Sequence, residues 1–89
     1  MSCSYYKHTI TYDSGWGYTE TKIIYQICYN STDTQTFQYE NGDMVELHGT
    51  DDFIFCIQAI LNGDEINNGL YSVKSEVIKW IDLPEKIRP

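Results

Sequence analysis

The chain has 89 residues, enough for one domain spanning residues 1–89, and its hydrophobic content of 42% is sufficient for a core. Its net charge of −7 disfavours direct binding to nucleic acid, because that binding requires basic side chains. No apolar run approaches the roughly 18 residues of a membrane span, and the N-terminal sequence MSCSYYKHT lacks the apolar core of a signal peptide. Three cysteines without a close pair argue against disulfides, so we expect a cytoplasmic protein, including the cytoplasm of an infected host.

The first predicted elements are two antiparallel strands. Tyr5–Asp13 alternates between apolar and polar residues, with His8 on the apolar face as a hydrogen-bonded core or boundary residue. Tyr18–Tyr29 is the longer second strand, and its core face is predicted to carry Ile23, Tyr25, Ile27 and Tyr29. Ile24 and Cys28 would lie on the opposite face.

The turn between these strands holds Trp16 between two glycines, Gly15 and Gly17. Two interpretations remain open. Trp16 either folds back to cover the sheet edge, or it is displayed as an anchor of the kind that often dominates binding energy.

Thr34–Glu40 and Met44–His48 are predicted to form a hairpin. A two-residue Asn-Gly loop would place Phe37 opposite Glu46 and mix the faces. A three-residue loop ending in a left-handed Gly42 places Phe37 opposite Val45. Because register follows the buried face, we prefer the three-residue loop.

Thr50–Gly63 is the only segment with a clear helical pattern, and it is predicted to pack across the sheet. Thr50 is a suitable N-cap, with Asp51 and Asp52 at the positive end of the helix dipole. Gly63 is suited to the left-handed conformation that ends a helix. The apolar face is formed by Phe53, Ile54, Cys56, Ile57, Ile60 and Leu61.

The C-terminal region fits two patterns. Residues 70–83 read either as a helix or, preferably, as two short strands joined by a tight turn at 74–76, because VIKWI is rich in β-branched and aromatic residues. Glu85–Pro89 is predicted to be a loose tail. The expected fold is therefore α+β, an antiparallel meander of four to six strands packed against one central helix.

Acidic residues are concentrated in one part of the chain. Residues 23–73 contain no Lys or Arg but hold eight Asp and Glu: Asp33, Glu40, Asp43, Glu46, Asp51, Asp52, Asp64 and Glu65. Such an imbalance creates a strong negative field, which attracts a basic protein surface. The alternative interpretation is that acidity serves solubility alone.

Catalytic and metal-binding patterns are not found in the sequence. Cys28 and Cys56 occupy apolar patterns, so a Cys–His nucleophile with His8 or His48 is not expected. No spacing typical of a zinc site or of an EF-hand occurs. We therefore predict neither enzymatic activity, nor a cofactor, nor a bound metal.

The overall profile is small, acidic, tyrosine-rich and without motifs. It resembles the class of small inhibitors produced by phages and toxin systems, including anti-CRISPR, anti-restriction and immunity proteins, which share no common fold. The leading hypothesis is an inhibitor that binds a basic nucleic-acid-handling protein by occlusion or phosphate mimicry. The predicted partner-binding residues are Trp16, Tyr39, Glu40, Asp43, Glu46, Asp51, Asp52, Asp64 and Glu65. The alternative is a structural module in which exposed strand residues such as Ile24 drive homo-oligomerisation.

Overall fold

The computed structural model of the chain describes residues 2–46, 53–66 and 69–89. It contains four strands and one α-helix: β1 (Cys3–Asp13), β2 (Thr19–Tyr29), β3 (Thr34–Tyr39), α1 (Ile54–Asn62) and β4 (Tyr71–Ile78). Two short 3₁₀ turns follow, at Trp80–Asp82 and Glu85–Ile87. The strands form one antiparallel sheet in the order β3-β2-β1-β4. The predicted α+β class is therefore confirmed.

Beyond these four strands, the only further pairing in the described part of the chain is an isolated bridge between Gln38 and Met44. No helix in the described ranges has both the length and the apolarity needed to cross a lipid bilayer.

The helix ends where the sequence predicts. Gly63 adopts a left-handed φ of 74°, and the N–H groups that follow the last turn bond to the carbonyls of Ala59 and Ile60. Phe53, Cys56 and Ile57 are buried, as the apolar pattern predicts. The expected N-cap at Thr50, with Asp51 and Asp52, lies outside the described residues.

One side of the sheet, here called the helix face, packs against α1. Ile10 of β1 and Ile24 of β2 are completely covered there by Phe53, Cys56 and Ile57. Ile24 lies on the face opposite Tyr25 and Ile27, as predicted. The expectation that it is exposed was wrong, because Ile24 lies next to His8 in the register and directly beneath the helix. Ile24 is only 1% exposed, so it offers no apolar surface to a second copy.

The opposite side of the sheet is covered by the end of the chain, and we call it the C-terminal face. Leu83 and Ile87 pack there against Tyr25 and Ile27, and all four side chains are buried. The prediction of a loose tail at Glu85–Pro89 was wrong. The segment turns back beneath the sheet, and Arg88 holds it by donating to the carbonyls of Leu83 (3.0 Å) and Ile81 (2.9 Å).

The loop after β3 has the three-residue form. Gly42 has a φ of 93°, and its N–H donates to the carbonyl of Tyr39 at 2.9 Å. The N–H of Val45 donates to the carbonyl of Phe37 at 3.1 Å, so Phe37 lies opposite Val45 as predicted. Residues after Glu46 in the predicted second strand lie outside the described part of the chain.

The preferred strand interpretation of residues 70–83 is correct for 71–78. The tight turn predicted at Lys74-Ser75-Glu76 was wrong, because these residues continue β4 and pair with Thr9, His8 and Lys7 of β1. Pairing along the whole of β1 supplies backbone partners that outweigh any local turn preference.

Candidate functional site

The loop between β1 and β2 displays Trp16 on the surface. The side chain is 93% exposed, so the second of the two interpretations, display rather than cover, is the one that the structure adopts. Gly15 and Gly17 on either side have φ values of 78° and 88°, a conformation that side-chain-bearing residues rarely adopt. The two glycines therefore allow the chain to turn sharply and project the indole outward.

Hydrogen bonds hold this loop in a defined shape. The N–H of Gly15 donates to Asp13 Oδ1 at 2.9 Å, and the N–H of Trp16 donates to Ser14 Oγ at 3.1 Å. Ser14 also bonds to the carbonyl of Tyr18 through its N–H (3.0 Å) and its hydroxyl (3.2 Å). Short polar side chains commonly stabilise turns in this way. The exposed indole thus stands on a backbone that is already ordered.

Aromatic rings pack below and beside this loop. The ring centroids of Tyr12 and Tyr18 lie 6.0 Å apart, and those of Tyr12 and Tyr71 lie 4.9 Å apart. Tyr71 also contacts Phe55 of the helix edge-on at 4.7 Å. Such contacts add to the stability gained by burial. They connect the β1–β2 loop to the helix through β4.

The result is an aromatic surface at one end of the sheet, which we call the aromatic end. It consists of Trp16, Tyr18, Leu70 and Phe55, with exposures of 93%, 56%, 46% and 37%. The sequence points to Trp16 but not to Leu70 or Phe55 as members of this surface, because their approach to Trp16 depends on the pairing of β4 with β1. The one indication of this surface is that Tyr71 lies opposite Tyr12, and recognising it requires the register between β4 and β1.

Carboxylates accompany the aromatic end. Asp13 caps the loop, and Glu20 accepts a hydrogen bond from the hydroxyl of Tyr18 at 3.0 Å. The segment from Asp13 to Thr21 contains no Lys or Arg. A partner that contacts Trp16 therefore meets negative charge beside it.

The predicted acidic residues are all exposed where they are described, but they form two separate groups. Glu40, Asp43 and Glu46 belong to the loop and segment after β3, at one edge of the sheet. Asp64 and Glu65 lie at the opposite edge, beside β4. Asp51 and Asp52 lie outside the described residues. The described acids therefore do not converge on a single patch.

Basic residues approach the first of these groups. Lys86 lies against Gly42, and a groove at this edge is lined by both Lys22 and Lys86 together with Glu40. These two lysines reduce the negative field of the group formed by Glu40, Asp43 and Glu46. Tyr39, predicted to contact a partner, is half-buried against the core, with its ring 5.5 Å from the Nζ of Lys22. Tyr39 thus contributes to the edge of the core more than to an exposed surface.

Asp64 and Glu65 line a cleft of about 450 Å³ between the end of α1 and β4. His8 lies in its floor, 7% exposed. Its Nδ1 is 2.7 Å from Ser75 Oγ and its Nε2 is 2.8 Å from Gln26 Oε1. Because both ring nitrogens have partners within the chain, His8 is satisfied as a buried polar residue, as predicted from its position on the apolar face.

Gln26 stands between His8 and Cys28: its Oε1 lies 2.8 Å from His8 Nε2, and its Nε2 donates to Cys28 Sγ at 3.5 Å. Cys56 is fully buried on the side of α1 that faces the sheet, and burial raises the pKa of its thiol. Burial likewise raises the pKa of Cys28, although a hydrogen bond from Gln26 acts in the opposite direction. A thiol with a raised pKa is a poor nucleophile near neutral pH. Within the described ranges, no group of three or more His, Cys, Asp and Glu residues is placed to hold a metal ion.

Comparisons with known proteins give no relative for this arrangement. No protein-family model matches the chain, and neither a curated protein nor a solved structure is significantly similar to it.

Proposed function

We propose that the chain is a small, non-enzymatic cytoplasmic inhibitor that binds a basic nucleic-acid-handling protein and occludes its site, as anti-CRISPR, anti-restriction and immunity proteins do. The observation that carries this proposal is Trp16, 93% exposed on a loop already fixed by hydrogen bonds. Exposing an indole to water has a cost that a monomeric protein normally avoids. Tryptophan is the residue most enriched among those that dominate interface energies.

Preorganisation strengthens this interpretation. A loop that must become ordered on binding loses part of the interaction energy to conformational entropy, at roughly 0.5–1.5 kcal/mol for each immobilised side chain. Here the N–H groups of Gly15 and Trp16 donate to Asp13 and Ser14, and Ser14 in turn donates to the carbonyl of Tyr18 after the indole. Binding then costs little conformational entropy beyond that of the Trp16 side chain itself.

Charge supplies attraction at longer range. With a net charge of −7, the chain is drawn towards a basic surface, and this mainly accelerates association. The two separated groups of acids favour occlusion guided by charge over phosphate mimicry by one compact patch. Asp13 and Glu20 beside the aromatic end would meet basic residues around the pocket that receives Trp16.

The test is affinity capture of the tagged chain from host lysate at low and at high salt, with wild type, Trp16→Ala and Ile81→Ala compared. Ile81 is 62% exposed in the C-terminal segment, so its substitution controls for loss of any exposed apolar side chain. We expect capture of a basic nucleic-acid-binding protein at low salt, release at high salt, and loss of at least about 30-fold in affinity for Trp16→Ala alone.

The captured protein is then offered its nucleic acid in competition. Displacement by nucleic acid supports occlusion of the nucleic-acid site. Binding that is insensitive to salt, or equal for Trp16→Ala and wild type, would contradict the proposal.

A second candidate function is a structural module that forms a homo-oligomer. Buried Ile24 gives it no support. The observation that favours it lies elsewhere, at the outer edge of β4.

A further inference from the structure

We propose that β4 pairs with β4 of a second copy of this chain, antiparallel and centred on Ser75, so that the two sheets join into one. This dimer gives the second candidate function, the homo-oligomer, a defined interface, and it does not rest on the inhibitor function. Three features carry it: the position of β4 in the sheet, the direction of its backbone groups, and the order of its charged residues.

The strand order β3-β2-β1-β4 places β4 at an edge of the sheet. The other edge is partly closed, because the segment after β3 bonds to Phe37 and Tyr39 through Val45 and Asp43. β4 is eight residues long, and no residue in the described ranges bonds to the outward backbone groups of Val73, Ser75 or Val77. An exposed edge of this length is a template for pairing with another strand.

The direction of the backbone groups follows from the register. The N–H of Asp13 donates to the carbonyl of Leu70, so the β1–β4 hydrogen bonds fall on even-numbered β4 residues. Val73, Ser75 and Val77 therefore direct their N–H and C=O groups outward. In a pair centred on Ser75, Ser75 exchanges hydrogen bonds with its own copy, and Val73 exchanges them with Val77 of the second copy.

Charge selects this register over its neighbours. Lys74 lies directly opposite Glu76 of the second copy when Ser75 is at the centre. A shift by two residues would place Lys74 opposite Lys74 or Glu76 opposite Glu76, which is destabilising. Lys7 of β1 already lies opposite Glu76 on the other side, so charges alternate across the joined sheet as Lys7, Glu76 and Lys74.

Pairing of β4 with β4 of the second copy also covers an exposed apolar side chain, Val77. Val77 is 77% exposed on the helix face, beyond the end of α1. Pairing places it opposite Val73 of the second copy, which lines the cleft beside Ile66. Because the same surface is used by both copies, the contact closes on itself as a two-fold dimer and does not extend into a fibre.

The first test is sedimentation over roughly a hundredfold range of concentration, where mass action converts monomer to dimer. Lys74→Glu makes both symmetric charge pairs repulsive, and we expect it to weaken dimerisation at least about tenfold. The double variant Lys74→Glu/Glu76→Lys reverses both charge pairs between the copies and should restore the dimer. It makes the Lys7 pair like-charged within each copy, but equally in monomer and dimer, so that change does not bear on dimerisation. Lys86→Glu makes the same charge change at the opposite edge of the sheet and should leave dimerisation close to wild type.

The side chains of Lys74 and Glu76 are 81% and 43% exposed, so these variants should fold, which far-UV circular dichroism verifies. Hydrogen exchange gives a second measurement on the unmodified chain. The amides of Val73, Ser75 and Val77 should gain protection as concentration rises, whereas those of Lys74 and Glu76, already bonded to β1, should not change. A chain that stays monomeric at the highest concentration, or a double variant no better than Lys74→Glu, would overturn the proposal.

Discussion

Replacing Leu83 with Ala tests whether the end of the chain is part of the folded core. Leu83 is 1% exposed and packs with Tyr25, Ile27 and Ile87 on the C-terminal face. The side chain loses three carbon atoms on substitution, at ~0.8 kcal/mol for each buried methylene. The transfer term is therefore ~2.4 kcal/mol, and the cavity left behind adds to it.

We expect a loss of about 2.5–3.5 kcal/mol in the free energy of unfolding. The value lies in the lower half of the usual range of roughly 2–5 kcal/mol, since a short segment without regular strands can partly collapse onto the space. A domain of this length has a total stability of about 4–13 kcal/mol, so the change is large. It corresponds to a fall of roughly 10–25 °C in Tm.

Urea unfolding monitored by circular dichroism measures this change, and Ile81→Ala is the matched control. Ile81 belongs to the same segment but is 62% exposed, so its truncation should cost less than about 0.5 kcal/mol. If both variants unfold at the same urea concentration, the segment does not pack on the sheet and our description of the C-terminal face is refuted.

Three further outcomes are expected. Gly63→Ala should lower the free energy of unfolding by about 1–2 kcal/mol, measured with urea, because a residue with a Cβ is strained at a φ of 74°. Gly69→Ala is the control and should cost little, because a Cβ meets open space at both positions but Gly69 lacks the left-handed φ. Burial raises the pKa of Tyr25, so the unfolded chain releases its phenolic proton at a lower pH than the folded chain, and stability falls as pH rises above the ordinary tyrosine pKa. The urea midpoint should therefore fall less steeply with alkaline pH for Tyr25→Phe than for wild type. The same decline in both chains would contradict this prediction. Iodoacetamide near neutral pH should label buried Cys56 far more slowly in the native chain than in urea, and equal rates by mass spectrometry would show that the helix does not protect it.

Local features of the fold were predictable from the sequence. Gly63 and Gly42 end a helix and a hairpin loop through backbone conformations that glycine favours, and such preferences act within a few residues. The alternation of apolar and polar residues along Tyr5–Asp13 likewise predicts a strand with a buried face. These signals needed no knowledge of distant parts of the chain.

Features that depend on distant pairing were not predictable. Ile87 reads as an isolated apolar residue in a polar tail, and Leu83 as the last residue of the segment 70–83. Only the return of the chain beneath Tyr25 and Ile27 buries both side chains. The acidic residues are close in sequence, yet the strand order separates Asp64 from Glu40 across the sheet. For the candidate site, the two glycines flanking Trp16 in a predicted turn pointed to that residue, while its neighbours on the surface required the β1–β4 register.

The two tryptophans lie in contrasting surroundings near opposite ends of β1. Their intrinsic fluorescence can therefore be used to follow events at each end of the sheet. Trp16 is almost fully in water beyond Asp13, so its emission should be red-shifted and readily quenched by acrylamide, which is uncharged and is not repelled by the neighbouring carboxylates. Trp80 follows the end of β4 that pairs with Tyr5; its indole N–H donates to the carbonyl of Pro89, and Arg88 lies 5.0 Å from its ring. Emission from Trp16 therefore responds to whatever occupies the aromatic end, and emission from Trp80 responds to release of the C-terminal segment.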